Sequence, residues 1–212
     1  MDIKDKTFDL HIHTRISDGA LAPEHAAPML RQHADFVTVT DHDDPSYHRR
    51  KDTGCSFTGM EITSDITLHG KTMLAEMLFY GFERSDIDQL MLMEHDKFNM
   101  TLDELAQYLE PIKLRTGAKL LVAHPYCLLR TDVGFEEILD YCSGFVDGFE
   151  CLHYSARREN EVRFLLEYCK RNGKIASGGS DSHGLLKATP YLHLVDEYLE
   201  LFQWIPELAN ST

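Results

Sequence analysis

Two imidazoles stand one residue apart in Asp9-Leu10-His11-Ile12-His13-Thr14, and Asp18 follows in Ser17-Asp18-Gly19. On an extended strand alternate side chains share a face, so His11 and His13 would offer two nitrogens to one metal ion. Further imidazole and carboxylate groups recur downstream: Asp41 and His42, Glu61, His124, Glu150 and His153, and Asp181 with His183. Mixed ligands of this kind suit zinc, manganese or iron, and the sequence does not choose among them. Such a cluster suits metal-assisted hydrolysis, since water shared between divalent ions ionises far below its bulk pKa and the ions neutralise developing charge.

Short β-rich runs alternate with amphipathic helical segments, a pattern that predicts parallel strands joined by crossovers. The strands read as Thr7 to Leu10, Phe36 to Thr40, Ser56 to Ile62, Glu76 to Phe82, Lys119 to Ala123, Gly148 to Cys151 and Ile175 to Ser177. Helical spacing of apolar residues marks Pro23 to Gln32, Ile87 to Leu109, Phe135 to Tyr141 and Glu159 to Asn172. The last of these carries a basic final turn and a glycine stop in Arg171-Asn172-Gly173. On this reading the candidate ligands fall at the C-terminal ends of strands. In a barrel of parallel strands that is the end where active sites are built. No repeat, linker or low-complexity tract divides the 212 residues, so a single domain is expected.

With 43% hydrophobic and 26% charged residues, the composition is that of an ordinary globular domain. Its apolar stretches are too short to span a bilayer, and Met1-Asp2-Ile3-Lys4-Asp5 lacks the apolar core of a signal peptide, so a cytoplasmic protein is expected. Five scattered cysteines with no CxxC pair argue for free, mostly buried thiols rather than disulfides or a thiolate zinc site. The formal charge of −14 argues against binding long nucleic acid. Two or three divalent ions would add about +4 to +6 locally, so a small anionic substrate remains admissible.

The four runs Asp9-Leu10-His11-Ile12-His13-Thr14, Thr40-Asp41-His42-Asp43, Ala123-His124-Pro125 and Ser180-Asp181-Ser182-His183-Gly184 resemble, in order, the motifs of the PHP (polymerase and histidinol phosphatase) family. Gly59-Met60-Glu61-Ile62 resembles the segment with its bridging glutamate. The likeness spans residues 7 to 190 and is nearest to the stand-alone phosphoesterases. It implies an α/β fold, a distorted (β/α)7 barrel, with a two- or three-metal centre at the strand C-terminal ends. It further implies hydrolysis of a phosphate mono- or diester of a small metabolite or nucleotide through a hydroxide bridging the metals. Carried over by position, His11, His13, Glu61 and Asp181 would hold one ion, and Glu61 with His124 a second. Asp18, His42 and His183 would hold a third. Catalysis would rest on Glu61, Asp181 and His183. Where many relatives place a histidine on the fourth strand, this chain reads Ala75-Glu76-Met77-Leu78-Phe79-Tyr80-Gly81. Glu76 could substitute there, or His69 could reach in from the preceding loop.

Other residues carry weaker expectations. Asp18 could instead cap the helix that follows it. Asp41 and Asp43 would orient His42 or neighbouring imidazoles. Arg15 and Arg130 could grip phosphate bidentately, and His153 could contact substrate or protonate a leaving group. The remaining histidines, His25, His33, His48, His95 and His193, are expected to be packed or solvated. The run Met91 to Asp96 suits core packing, and Tyr198 to Ile205 could cover the barrel or meet a second copy. Specificity would lie in the loops Asp43 to Thr53 and Ser64 to Met73. An amidohydrolase-like hydrolase of C–N bonds and a non-catalytic metal-binding module are the competing classes.

Overall fold

The computed structural model describes residues 3–92, 100–130 and 133–211. Its strands form two sheets. β1 (Phe8–Asp9) pairs in parallel with β2 (Phe36–Val37). The second sheet runs β3 (Gly59–Leu68), β4 (Lys71–Tyr80), β5 (Lys119–Val122), β6 (Gly148–Leu152), β7 (Ile175–Gly178). The sheets meet along two seams. On one side Leu10 N–H donates to Gly178 O at 3.2 Å and Ile12 bridges Ser182. On the other, Ser56 N–H donates to Val37 O at 2.7 Å and His42 bridges Glu61.

The expectation of uniformly parallel strands fails at β4. β3 and β4 form a ten-residue antiparallel hairpin, and β4 is antiparallel to β5 as well. The hairpin turns at His69-Gly70, where φ is +51° and +72°. Two consecutive positive-φ residues give the tight turn that matches strand twist, and a two-residue turn cannot carry a crossover. The segment Ser64 to Met73, expected as a specificity loop, is therefore almost entirely paired strand.

α1 (Pro23–His33) starts with proline at its first position and covers a small cluster of Ile12, Leu21, Leu30, Val37 and Val39. Its N-cap is Ala22, which makes no side-chain cap bond, so Asp18 is not the cap. The single helix expected from Ile87 to Leu109 is not continuous in the described chain. α2 (Ile87–Leu92) and α3 (Leu102–Thr116) are described separately, and Met93 to Asp96 lie outside the described residues. α3 opens on a reciprocal Thr101/Glu104 capping box and ends at Gly117 with φ +75°. α4 (Phe135–Ser143) and α5 (Glu159–Arg171) follow, the latter burying Val162, Leu165, Leu166 and Cys169.

The C-terminal aromatic run packs within the chain. Phe202 lies against Phe8, and Trp204, opening α6 (Trp204–Ser211), stacks on Tyr80 and donates to Ala176 O at 2.9 Å. All five cysteines are free, with three of them buried. Among the described residues no helix is long and apolar enough to cross a membrane.

Candidate metal centre

Glu61, on β3, is the hub of the site. Its fully buried carboxylate faces four imidazoles, with Oε2 at 3.0 Å from His11, 3.2 Å from His13 and 3.2 Å from His42, and Oε1 at 3.1 Å from His124. Asp181 Oδ1 joins from the loop after β7, at 3.1 Å from His13, 3.5 Å from His11 and 3.3 Å from His183. Glu76, on β4, completes one edge at 3.3 Å from His124 and 3.7 Å from His42. Asp18 completes the opposite edge at 3.2 Å from His183, 3.8 Å from His13 and 3.9 Å from His42.

The local backbone explains why these groups converge. His11 and His13 lie past the end of β1 in an extended segment, and their ring centroids are 5.0 Å apart. Two glycines let the flanking loops close on that segment. A Cβ on Gly179 would sit 2.2 Å from His11 Cβ, and one on Gly19 would sit 2.3 Å from His13 O, both inside steric contact. Asp43, His124 and Asp181 all take positive φ, at +53°, +26° and +50°. Each such non-glycine residue costs about 1–2 kcal/mol, and strain of this kind gathers where a side chain must be aimed. Asp41 and Asp43 clamp the chain beside the imidazoles. Asp41 accepts from Thr14 N–H at 2.6 Å, Thr14 Oγ1 at 2.7 Å and Ser17 Oγ at 2.8 Å, while Asp43 accepts from Thr63 N–H and Oγ1.

The donor set fits divalent cations on three counts. For metal–ligand bonds near 2.1 Å, neighbouring donors lie about 3.0 Å apart in an octahedron and about 3.4 Å apart in a tetrahedron, the spacing found around Glu61. Both ring nitrogens of buried His13 lack a hydrogen-bond partner, although carboxylate oxygens lie near them. The third count is electrostatic. Burial would raise the Glu61 and Asp181 pKa values, yet the surrounding imidazoles hold both carboxylates ionised, well below their ordinary range. Burial would equally lower the imidazoles, yet Glu61 and Glu150 hold His11 well above its usual value, and His124 is pushed up to about 11. A pocket that binds protons this strongly is negative enough to bind cations in their place. Groups that could hold an ion are His13/Asp18/His42/His183, His11/His13/Glu61, His42/Glu61/Glu76 and His11/Glu150/His153.

Some expected members lie elsewhere. His69 is on the hairpin turn, paired with exposed Glu137 far along β3 and β4 from Glu76, so of the two substitutes only Glu76 reaches the cluster. Arg15 is exposed and donates from Nε to Ala20 O at 3.0 Å. Arg130 ends a 3-10 helix, and its side chain lies outside the described part of the chain. Buried His153 accepts Ser155 N–H at Nδ1 (2.9 Å), with Nε2 at 3.6 Å from Asp181 Oδ2.

Glu150, noted in the sequence but given no role, sits behind the cluster. One of its oxygens accepts from His11 Nδ1 at 3.0 Å and the other from His124 N–H at 2.8 Å. Both oxygens are thus engaged in aiming imidazoles. The signal for it was an acid inside the otherwise apolar strand Gly148-Phe149-Glu150-Cys151-Leu152, since an unpaired charge is not buried there.

The fold is similar to that of a candidate metal-dependent phosphoesterase from Bifidobacterium adolescentis (17% identity, 93% of this chain and 96% of that chain, TM-score 0.62). It is similar in the same degree to an amidohydrolase from Chromobacterium violaceum, whose structure holds sulfate and no metal (16% identity, 92% and 96%, TM-score 0.60). A two-domain protein of Bacteroides vulgatus with a PHP-like domain matches at 16% identity over 87% of this chain and 55% of that one, with a TM-score of 0.46. No family model matches the chain, and no curated protein does.

Proposed function

We propose that this chain is a metal-dependent phosphoesterase of the PHP type, hydrolysing a phosphate mono- or diester of a small metabolite or nucleotide. The observation that carries the reading is Glu61, one buried carboxylate shared by four imidazoles through both its oxygens. A carboxylate so placed would be able to serve more than one ion. In this reading His11, His13, Glu61 and Asp181 hold one ion, Glu61, His124 and Glu76 a second, and Asp18, His42 and His183 a third. The two sheets, joined at both seams, are then arcs of one distorted seven-stranded barrel. Zinc, manganese or iron bound there would supply a hydroxide nucleophile and neutralise the phosphoryl and leaving oxygens.

The chain's own residues do the rest. Because His153 Nδ1 accepts the Ser155 N–H, the neutral ring carries its proton on Nε2, on the side of Asp181. From there it donates to a phosphoryl or leaving oxygen. Glu150 and Asp41 fix the imidazoles and the backbone beside them, so the site is set before substrate arrives.

Sulfate in the Chromobacterium violaceum structure is a tetrahedral oxyanion like phosphate, although that protein is described as an amidohydrolase. Assay decides between the classes. Metal-loaded protein should release phosphate from p-nitrophenyl phosphate and from a panel of nucleotides and phosphorylated metabolites, fall silent with chelator, and recover when ions are restored. Ammonia release from amides without phosphate release would overturn the assignment, and fewer than one ion per chain by plasma emission spectroscopy would leave a non-catalytic module.

A further inference from the structure

A cavity of about 810 Å³ lies away from the imidazole cluster, and the phosphoesterase reading does not use it. Strand register fixes its place. Its walls come from the residues preceding β3, those following β4 and those preceding β5. Gly59 pairs with Tyr80, and Tyr80 with Lys119, so these segments share one end of the sheet. His124 follows β5 at the other end.

The lining is divided by chemistry. Phe57, Phe82 and Leu208, each almost fully buried, back it on one side, while Arg84 and Arg115 give it cationic groups and Glu83 a carboxylate. The arginines differ. Arg115 is neutralised by Glu83 and Asp86, whereas Arg84 has no carboxylate partner among the described residues. Nearby Arg31 and Arg49 are likewise paired, with Asp52 and Asp88. Arg84 thus stands at the cavity with no ion pair among the described residues, although Glu83 lines the same cavity and Asp35 and Asp52 the adjoining one. Arg84 also lines an adjoining cavity of about 500 Å³, and Thr53 lines both. The Thr53 hydroxyl accepts from Cys55 N–H, leaving its own proton to donate.

We propose that this cavity is a second ligand site, separate from the metal centre, for a small organic anion. The carboxylate or phosphonate head is bound by Arg84 and Thr53, and an aryl or alkyl body lies against Phe57, Phe82 and Leu208. A guanidinium grips such a head through parallel hydrogen bonds, and an apolar body displaces water from the remaining wall.

The chain carries its own reporter. Its one tryptophan, Trp204, lies behind the cavity with its ring centroid 6.1 Å from that of Phe57, on the helix that contributes Leu208. Full-length, metal-loaded protein is titrated with 3-phenylpropionate and, separately, phenylphosphonate while Trp204 fluorescence is followed. At least one probe should give saturable quenching or a shift with Kd below about 1 mM, and which one binds tells carboxylate from phosphorus ligands. Arg84→Gln should weaken that binding about tenfold or more. Ala209→Leu, which narrows the cavity from α6 without touching a charge, should weaken it too. Turnover of p-nitrophenyl phosphate without probe should stay at the wild-type rate in Arg84→Gln, which lies outside the metal centre. No saturable response to either probe, or equal affinity in both variants, overturns the proposal. Neither result depends on the protein being a phosphoesterase.

Discussion

Glu150→Gln removes one charge from behind the metal centre while leaving the proposed ligands in place. Glu150 Oε1 accepts from His11 Nδ1 at 3.0 Å, and Oε2 accepts the His124 backbone N–H at 2.8 Å. With both oxygens accepting, His11 keeps its proton on Nδ1, so that a cation would displace the proton on Nε2, beside Glu61 and Asp181. Glutamine offers one accepting oxygen and one NH2. If the NH2 meets His124, a buried backbone N–H loses its partner, at a cost of about 1–3 kcal/mol. If it meets His11, the imidazole proton is forced to Nε2, where it blocks coordination. Loss of a hydrogen bond to a charged group is itself worth about 1.5–3 kcal/mol, and about 1.4 kcal/mol is tenfold in affinity. Metal affinity should therefore fall by about 10–100-fold, the range seen when the partner of a ligating imidazole is removed. Competition against a chromophoric chelator measures it, with circular dichroism confirming that the variant is folded. Phosphate release should fall at limiting metal and return at excess. A folded variant with wild-type affinity would refute the orienting role.

Three further outcomes are expected. His13→Ala should lower the ion count and abolish phosphate release, with circular dichroism confirming that the variant is folded, because its Nε2 lies 3.1 Å from Asp181 and 3.2 Å from Glu61 at the proposed first ion; retained activity would remove His13 from the centre. Glu76→Gln should lower metal content, whereas His69→Ala should leave it unchanged, since His69 sits on the hairpin turn beside Glu137; the reverse pattern in emission spectroscopy would exchange their roles. His48 is buried, and burial lowers its pKa to about 4. The unfolded chain takes up that proton near pH 6.5 and the folded chain only near pH 4, so this contribution to stability is intact above pH 6.5 and is lost as pH falls to 4. At 1.36 kcal/mol per unit the loss is about 3 kcal/mol. In urea melts the stability gap between wild type and His48→Gln should close by that amount over this interval, and parallel pH profiles would reject it.

The site was more legible than the fold. Imidazole and carboxylate at loop ends advertise themselves, because neither type is left unpaired in a core without a reason. His11, His13, Glu61, His124 and Asp181 could thus be picked out before any strand was paired. Strand direction was hidden. Lys71 to Tyr80 reads as a β-rich run whichever way it points, and only the two positive-φ residues at His69 and Gly70 reverse it. That reversal decides between Glu76 and His69. A one-dimensional reading puts both within reach, whereas the hairpin register carries His69 to the far tip.

Glu150 and Arg84 mark the same boundary from opposite sides. Sequence shows an acid in an apolar strand and an arginine in a polar loop, and neither type says what it faces. The chain alone determined which chemistry was available: nitrogen and oxygen donors for cations, arranged in an order that resembles the motifs of a hydrolase family. Tertiary structure decided the partition of those donors. It set one carboxylate among four imidazoles, another behind them as an orienter, and a guanidinium at a separate cavity. Donor identity is a property of each residue, but whether a carboxylate oxygen meets a cation, an N–H or water depends on distances of a few tenths of an ångström. Those are fixed only when strands distant in sequence pack together.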